Sequence, residues 1–328
     1  METPVALTIF NRPHTAELVF EEIAKAQPRK LFVIADGPRH DRPDDAELCA
    51  AARTIIDRVD WQCKVFKNYS EVNLGCGHRQ ATGLNWVFRQ VDRCIILEDD
   101  CVPDQSFFTF CEELLERFAQ DQRIMHIGGW GPYSDRAGRS YSYFFSRCFS
   151  TWGWATWARA WKHYDFEMKL WPEVRDRRWL MNVQGDCKWA KYVQEKFDQV
   201  HAQAPNTSAL DVQWVFACNS QNGFAIRPYR NLIQQVGVGD DATGIDFMTA
   251  VRKSVPVFSS SLRFPLEHPP HMVRDMEADL ALILPLINAQ HSYHRHLRWR
   301  RLLRGLIPQM FRAYIPERLI NLIRRYFR

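Results

Sequence analysis

The amino-acid sequence predicts an α/β protein: a mostly parallel sheet covered by helices on both faces. Three observations carry that expectation. The first third alternates short apolar runs with stretches of helical periodicity. The runs are apolar almost throughout, as strands buried on both faces are. Each run also stops at a polar or turn-forming group: Asn11-Arg12, Asp36-Gly37, Asn68 and Glu98-Asp99-Asp100. In such sheets ligands collect outside the carboxyl ends of the strands.

Taken in order, Val5 to Phe10 reads as the first strand, and helical spacing follows from His14 to Ala26 with Leu18, Val19 and Ile23 on one face. Leu31 to Ala35 is the second strand, closed by the turn signal Asp36-Gly37-Pro38. A helix over Asp44 to Val59 leads to a short strand at Cys63 to Phe66. A helix from His78 to Phe88 precedes the strand Cys94 to Leu97. After the acidic triplet a helix starts near Asp104, with Phe107, Phe108, Cys111, Leu114, Leu115 and Phe118 on its apolar stripe. Ile124 to Ile127 reads as a strand ending in Gly128-Gly129, Asp211 to Asn219 as a helix and Gly223 to Arg227 as a strand. The block from Tyr133 to Trp189 is rich in aromatic residues and yields no clear elements, and residues 237–244 form a Gly- and Asp-rich loop.

Composition narrows the function. The 328 residues are 46% hydrophobic and 25% charged, which excludes a disordered, collagenous or coiled-coil protein. No apolar run is long enough to span a bilayer. Met1-Glu2-Thr3-Pro4 leads straight into an apolar segment without a basic stretch or cleavage pattern, so no signal peptide is expected. The nine cysteines are scattered without C-x-x-C spacing, which points to reduced thiols in a cytoplasmic setting and away from a zinc site. The net charge of +5 is unevenly placed: residues 291–328 hold ten arginines against one acidic residue, Glu317, so the rest of the chain is net acidic.

The strongest chemical signal is Glu98-Asp99-Asp100 directly after a strand. Adjacent carboxylates repel one another, and a hard divalent cation such as Mn²⁺ or Mg²⁺ offsets that repulsion. A solvated acidic turn leading into the next helix accounts for the same residues. Arg79 opens a helix after the flexible Asn73-Leu74-Gly75-Cys76-Gly77, where a cation opposes the helix dipole unless an anion lies between them; an ordinary surface arginine is the alternative. Asp36 reads either as an Asx-turn residue or as an acceptor for a base N–H. Asp211, beside Leu210 and Val212, reads as a helix-end aspartate or as a carboxylate whose desolvation raises its pKa toward that of a general base. Trp152 and Trp154 suit either stacking on sugar faces or core packing.

Together these residues resemble a known family. Strand–Asn-Arg, strand–Asp-Gly, Asn-x-Gly…Arg and strand–Glu-Asp-Asp, in that order, resemble the nucleotide-sugar half of GT-A glycosyltransferases. The stretch from Gly77 to Leu84, then Ile95 through Cys101-Val102-Pro103-Asp104 to Phe108, is similar to N-acetylglucosaminyltransferase I and its bacterial relatives. Trp152-Gly153-Trp154, Asp211-Val212-Gln213-Trp214 and residues 223–228 resemble the acceptor half, so the likeness spans roughly residues 4–245. The resemblance implies a metal-dependent, inverting transfer from a nucleotide-sugar donor, UDP-linked by preference and UDP-GlcNAc among the candidates, to a glycan or lipid-linked saccharide. It implies Asp36 on the uracil, Arg12 and Arg79 on the donor's nucleotide and diphosphate, Glu98 and Asp99 on ribose or donor sugar, Asp100 on Mn²⁺ or Mg²⁺, and Asp211 as base. Trp152 and Trp154 would then meet the acceptor. A non-catalytic glycan- or nucleotide-binding protein on the same fold is the alternative from another class, and a nucleotidyltransferase lacks support because no Gly-rich phosphate loop follows the first strand.

Three segments follow from this reading: a nucleotide-sugar half over 1–127, an acceptor half of the same domain over 128–250, and a C-terminal extension over 251–328 with basic amphipathic helices. Arginines interleaved with aliphatic and aromatic residues in 291–328 suit an anionic bilayer surface at the inner face of the plasma membrane. No nucleic-acid-binding module is recognisable.

Overall fold

The computed structural model describes residues 1–131, 141–237 and 262–288. Four parallel strands come first: β1 (Val5–Ile9), β2 (Lys30–Ala35), β3 (Lys64–Tyr69) and β4 (Arg93–Glu98). They are joined by α1 (Pro13–Ala26), α2 (Asp45–Thr54) with a 3₁₀ turn at Ile55–Arg58, and α3 (Cys76–Phe88). There follow β5 (Cys101–Pro103), α4 (Gln105–Arg117), β6 (Ile124–Gly128), β7 (Tyr143–Ser146) and β8 (Trp154–Trp157). The short helices α5 (Ala158–Trp161), α6 (Trp171–Val174) and α7 (Trp179–Gln184) lead to α8 (Cys187–Gln203) and α9 (Asp211–Ser220), and β9 (Phe224–Pro228) and β10 (Ile233–Gln235) close the series. A last helix occupies 276–288.

The main sheet has the order β3-β2-β1-β4-β8-β6-β9-β7, and β5 pairs separately with β10. Only β7 and β8 run against the other strands. The α/β class read from the sequence is therefore the fold observed. Strand alternation sends Leu7, Val33 and Leu97 to one face, against Val19 and Ile23 of α1 and Phe107 and Leu114 of α4. It sends Ala6, Phe32, Ile34 and Ile96 to the other, against Leu84 and Val87 of α3 and Trp214 and Ala217 of α9. Both faces are covered, which is why these strands read as continuous apolar runs.

Two features differ from the sequence expectation. The aromatic block supplies a strand at the middle of the sheet, since β8 lies antiparallel between β4 and β6. A run of four residues, Trp-Ala-Thr-Trp, is too short to carry a readable period, so it hides among its aromatic neighbours. Second, the extension set at 251–328 begins inside the packed body: Leu262 and Leu266 join the first core, and Ala278, Leu282, Ile283 and Ile287 join a third core with Trp171, Trp189, Phe197 and Phe216. The helix over 276–288 is pinned by Asp279, which is 0% exposed. Asp279 accepts from Ser146 Oγ, from the Arg147 N–H at 3.0 Å and from Arg274 Nε at 2.6 Å. The basic segment 291–328 lies outside the described residues.

His126 of β6 is fully buried, stacked on Trp154 with ring centroids 5.4 Å apart, and its Nδ1 accepts from Trp214 Nε1 at 3.1 Å. The proton therefore sits on Nε2 and the ring is neutral. Burial, helped by the charge of Arg227, pushes its pKa well below the usual 6.5. Below that pH the unfolded chain takes up a proton that the folded chain does not. Stability is then unaffected above about pH 6.5 and falls beneath it, by up to about 1.4 kcal/mol per pH unit. Urea unfolding at about pH 7.5 and about pH 5.5 checks this: the acid-side loss should be smaller in His126→Phe than in the wild type.

Candidate functional site

The site forms where β1 and β4 end side by side. The register sets Thr8 opposite Glu98, so the residues just beyond, Phe10 to Arg12 and Asp99-Asp100, meet across the strand ends. Asp99 accepts from the Phe10 N–H at 3.1 Å and from Arg12 Nη2, and Asp100 accepts from Arg12 Nη1 at 2.8 Å. Burial alone would lower the Arg12 pKa, but the two carboxylates outweigh it and hold the guanidinium firmly charged. Behind the motif, Val236 N–H donates to the Asp100 carbonyl at 2.8 Å. Gly237 then crosses so close that a Cβ there would lie 2.1 Å from Asp100 Oδ2, so only glycine allows that passage.

Glu98 is half-buried and has no hydrogen-bond or ion-pair partner among the described residues. Burial, and then the charges of Asp100 and Asp99, raise its pKa despite Arg12. Asp99 is raised too, by burial against the pull of Arg12. Among the described residues one arginine thus faces three carboxylates, and the surplus is negative.

Asp211 arrives from the other half of the chain, in the first turn of α9. Its charge is felt by Cys76, at the start of α3, and by Glu98. Burial pushes its carboxyl up, against the N–H groups of Val212 and Asp211 and the charge of Lys196. Asp211 and Cys76 are nevertheless exposed, which describes a cleft: protein mass on most sides, with water reaching the floor. Gly77 sets the width of that cleft. A Cβ there would sit 2.3 Å from the Ala209 carbonyl oxygen and 2.8 Å from Ser208 backbone atoms, so any side chain drives the approach to α9 away from α3.

Asp36 and Arg79 stand at the ends of β2 and β3. Asp36 Oδ1 accepts from the N–H of Gly37 and of Leu74 at 2.9 Å each, and Oδ2 from the Gly75 N–H at 3.0 Å and Asn73 Nδ2 at 3.2 Å. Four donors occupy the roughly four lone-pair sites of a carboxylate, so a base N–H bonds here only if loop 73–75 yields a bond. Arg79 is buried, which sets aside the surface-arginine reading. Its Nε donates to the Ala35 carbonyl at 3.0 Å and its Nη2 to the carbonyl and side chain of Asn68. Burial lowers its pKa while Asp36 opposes the shift. Arg53, which the sequence did not single out, works beside it, donating to the Asp36 and Ser70 carbonyls at 3.1 and 2.7 Å. Two guanidinia thus lace the strand ends together, and Arg12 is the cation paired with the acidic triplet.

Trp154 requires a correction. It is 1% exposed, packed among His126, Trp161 and Trp214, so its face is closed to an acceptor. Core packing wins because it stands on a central strand. Trp152 is only partly buried, edge-on to Trp130 at 5.4 Å. The sequence also passed over Tyr164, Tyr192 and Lys196, each within range of the charge of Asp211. Asp104 is a helix cap, accepting from the Ser106 N–H at 2.9 Å.

Among the described residues, no group of three or more His, Cys, Asp or Glu is arranged to hold a metal by itself. The donor set still fits a hard divalent ion shared with a ligand: oxygen atoms only, surplus negative charge, and a Glu98 carboxylate without a partner. No described helix is long and apolar enough to cross a membrane.

Fold and site together define an α/β protein with an acidic, water-reached cleft at the carboxyl ends of parallel strands. No protein-family model matches the chain, and no curated protein matches it in sequence. Among solved structures it is similar to a UDP-glucose pyrophosphorylase complexed with UDP-glucose, with a TM-score of 0.35 and 9% identity over 72% of this chain and 92% of that one. A likeness that faint bears on neither activity nor ligand.

Proposed function

We propose that the chain is a metal-dependent, inverting glycosyltransferase of the GT-A type. It moves a sugar from a nucleotide donor, UDP-linked by preference, to a saccharide acceptor in cell-surface polysaccharide assembly. The observation that supports this reading is the close approach of the segment leading into α9 to the start of α3, which carries the charge of Asp211 to Cys76 and Glu98 although they come from opposite halves of the chain. Carboxylates brought together at such a cost in repulsion suit two tasks, holding a cation-bound diphosphate and removing a proton.

In this reading Asp211, its pKa raised by burial, takes the proton of the acceptor hydroxyl. The hydroxyl oxygen forms the new bond to C1 of the donor sugar from the face opposite the diphosphate. The C1–oxygen bond of the donor breaks, and its electron pair leaves with the diphosphate. Asp100, with Glu98 beside it, would hold Mn²⁺ or Mg²⁺, which supplies charge neutralisation at the departing diphosphate. Arg12 keeps Asp99 and Asp100 oriented and adds a positive charge on the same side. Arg79, Arg53 and Asp36 shape the strand ends where the nucleoside sits. The basic segment 291–328 would carry the enzyme to an anionic membrane surface on the cytoplasmic side, close to a lipid-linked acceptor.

A thermal-shift titration with UDP, GDP and CMP, each with and without Mn²⁺, tests the reading. One nucleotide should stabilise the chain, and only with metal, by about 2.7 kcal/mol near one hundred times Kd. The same shift in Asp100→Ala would remove the acidic triplet from the metal site. No shift with any nucleotide would turn the reading to a glycan-binding protein on this fold.

A further inference from the structure

A run of short contacts crosses the cleft between α3 and α9, and it begins at the end of β2. Asn73, in the loop between β3 and α3, reaches back to that strand end. Its Nδ2 donates to the Gly37 carbonyl at 2.9 Å and to Asp36 Oδ2 at 3.2 Å. The next two N–H groups, of Leu74 and Gly75, donate to the two Asp36 oxygens. Gly37 admits the loop, since a Cβ there would fall 2.5 Å from the Val72 carbonyl carbon. The stem of the loop is laced by Arg53 to the Ser70 carbonyl and by Arg79 to Asn68. Val72 is 63% exposed and Leu74 40%, so little apolar packing holds the loop and hydrogen bonds carry it.

From the loop the chain enters α3 at once. Gly75 is the N-cap, at φ +79°, and its carbonyl accepts from the Arg79 N–H at 2.9 Å. Two residues on, Gly77 abuts Ser208 and Ala209, and Asp211 lies two residues beyond that contact. The Ala209 carbonyl is held in turn by Gln213 Nε2 at 3.0 Å. Each link is main chain or one short, hydrogen-bonded side chain, so no flexible group absorbs a displacement that starts at Asn73. We propose that Asn73 is a positioning residue for the transfer. By clamping its loop to Asp36 and Gly37 it fixes the start of α3 against residues 208–209, and with it the place of Asp211 in the cleft. The proposal rests on the transferase reading only in what that placement serves. A misplacement of about 1 Å at a reacting group costs about 10²-fold in rate, so the role shows in turnover and not in donor affinity.

The first test is hydrogen exchange by mass spectrometry on the full chain, wild type against Asn73→Ala and Asn73→Asp. Both variants lose the N–H donor, and aspartate keeps the shape. In each, amides of 73–79 and, across the cleft, of 209–216 should exchange about tenfold or more faster, while those of β1 and β4 stay as in the wild type. Faster exchange confined to the loop marks a residue of local structure and overturns the proposal. Acceleration that includes β1 and β4 marks lost global stability and overturns it too, as does wild-type exchange in Asn73→Asp. The second test is UDP release from UDP-GlcNAc with Mn²⁺: kcat should fall about tenfold or more in both variants, with KM within about twofold. A raised KM with kcat unchanged makes Asn73 a donor contact and overturns the proposal. Should UDP-GlcNAc not turn over, the exchange across the cleft decides. The UDP–Mn²⁺ thermal shift on the wild type separates the two readings: if it is absent while exchange at 209–216 responds to Asn73, the transferase reading alone is wrong.

Discussion

Asp211→Asn is expected to lower turnover by about 10²–10⁴-fold, the usual contribution of a positioned general base. Asparagine keeps the shape of the side chain but cannot take a proton. Donor binding should survive, so the UDP–Mn²⁺ thermal shift should match the wild type while the transfer rate collapses. The wild-type rate should also rise with pH as the carboxyl ionises, and burial moves that rise above the ordinary aspartate range near 3.8. Steady-state rates across pH for both proteins check this. A variant with less than tenfold loss places the base elsewhere.

Asp279→Ala should cost about 3–5 kcal/mol of stability, because it leaves the largely buried Arg274 guanidinium without its carboxylate. The carboxylate is shared by Ser146, Arg147 and Arg274, and Arg274 also donates to the Val183 and Gln184 carbonyls at 3.2 and 2.7 Å. Its own pKa is raised, since burial outweighs the arginine. Without it the helix over 276–288 loses its tie to β7, and Leu282, Ile283 and Ile287 lose their hold on the third core. Urea unfolding measures the loss, and Asp279→Asn should lose less because it can still accept hydrogen bonds. A change below about 1 kcal/mol in the alanine variant would mean that apolar packing alone holds that helix.

Much of the framework was legible in the residues. β1, β2 and β4 announced themselves because strands buried on both faces must be apolar at every position. The polar groups at their carboxyl ends could be read as one rim because parallel strands all end on the same side. Asp36, Arg79 and Glu98 to Asp100 were visible for that reason. What each does at the rim was not. Asp36 is held by Gly37 and loop 73–75, and Arg79 donates to Ala35 of β2 and Asn68 of β3, and neither set of bonds has a sequence signature.

Other features belong to the tertiary structure alone. Trp152 and Trp154 look equivalent in sequence, yet Trp152 precedes β8 while Trp154 opens it, and the placement of β8 at the centre of the sheet buries Trp154 completely. Gly77 and Gly237 matter because another segment's backbone or carboxylate passes within reach of their missing side chains, which local sequence does not encode. The sequence by itself determined the layers, the rim and the acidic triplet, all consequences of local periodicity and strand direction. Bringing Asp211 to that rim needed α9 to pack across the sheet, and contacts between distant segments are set by the shape of the whole core.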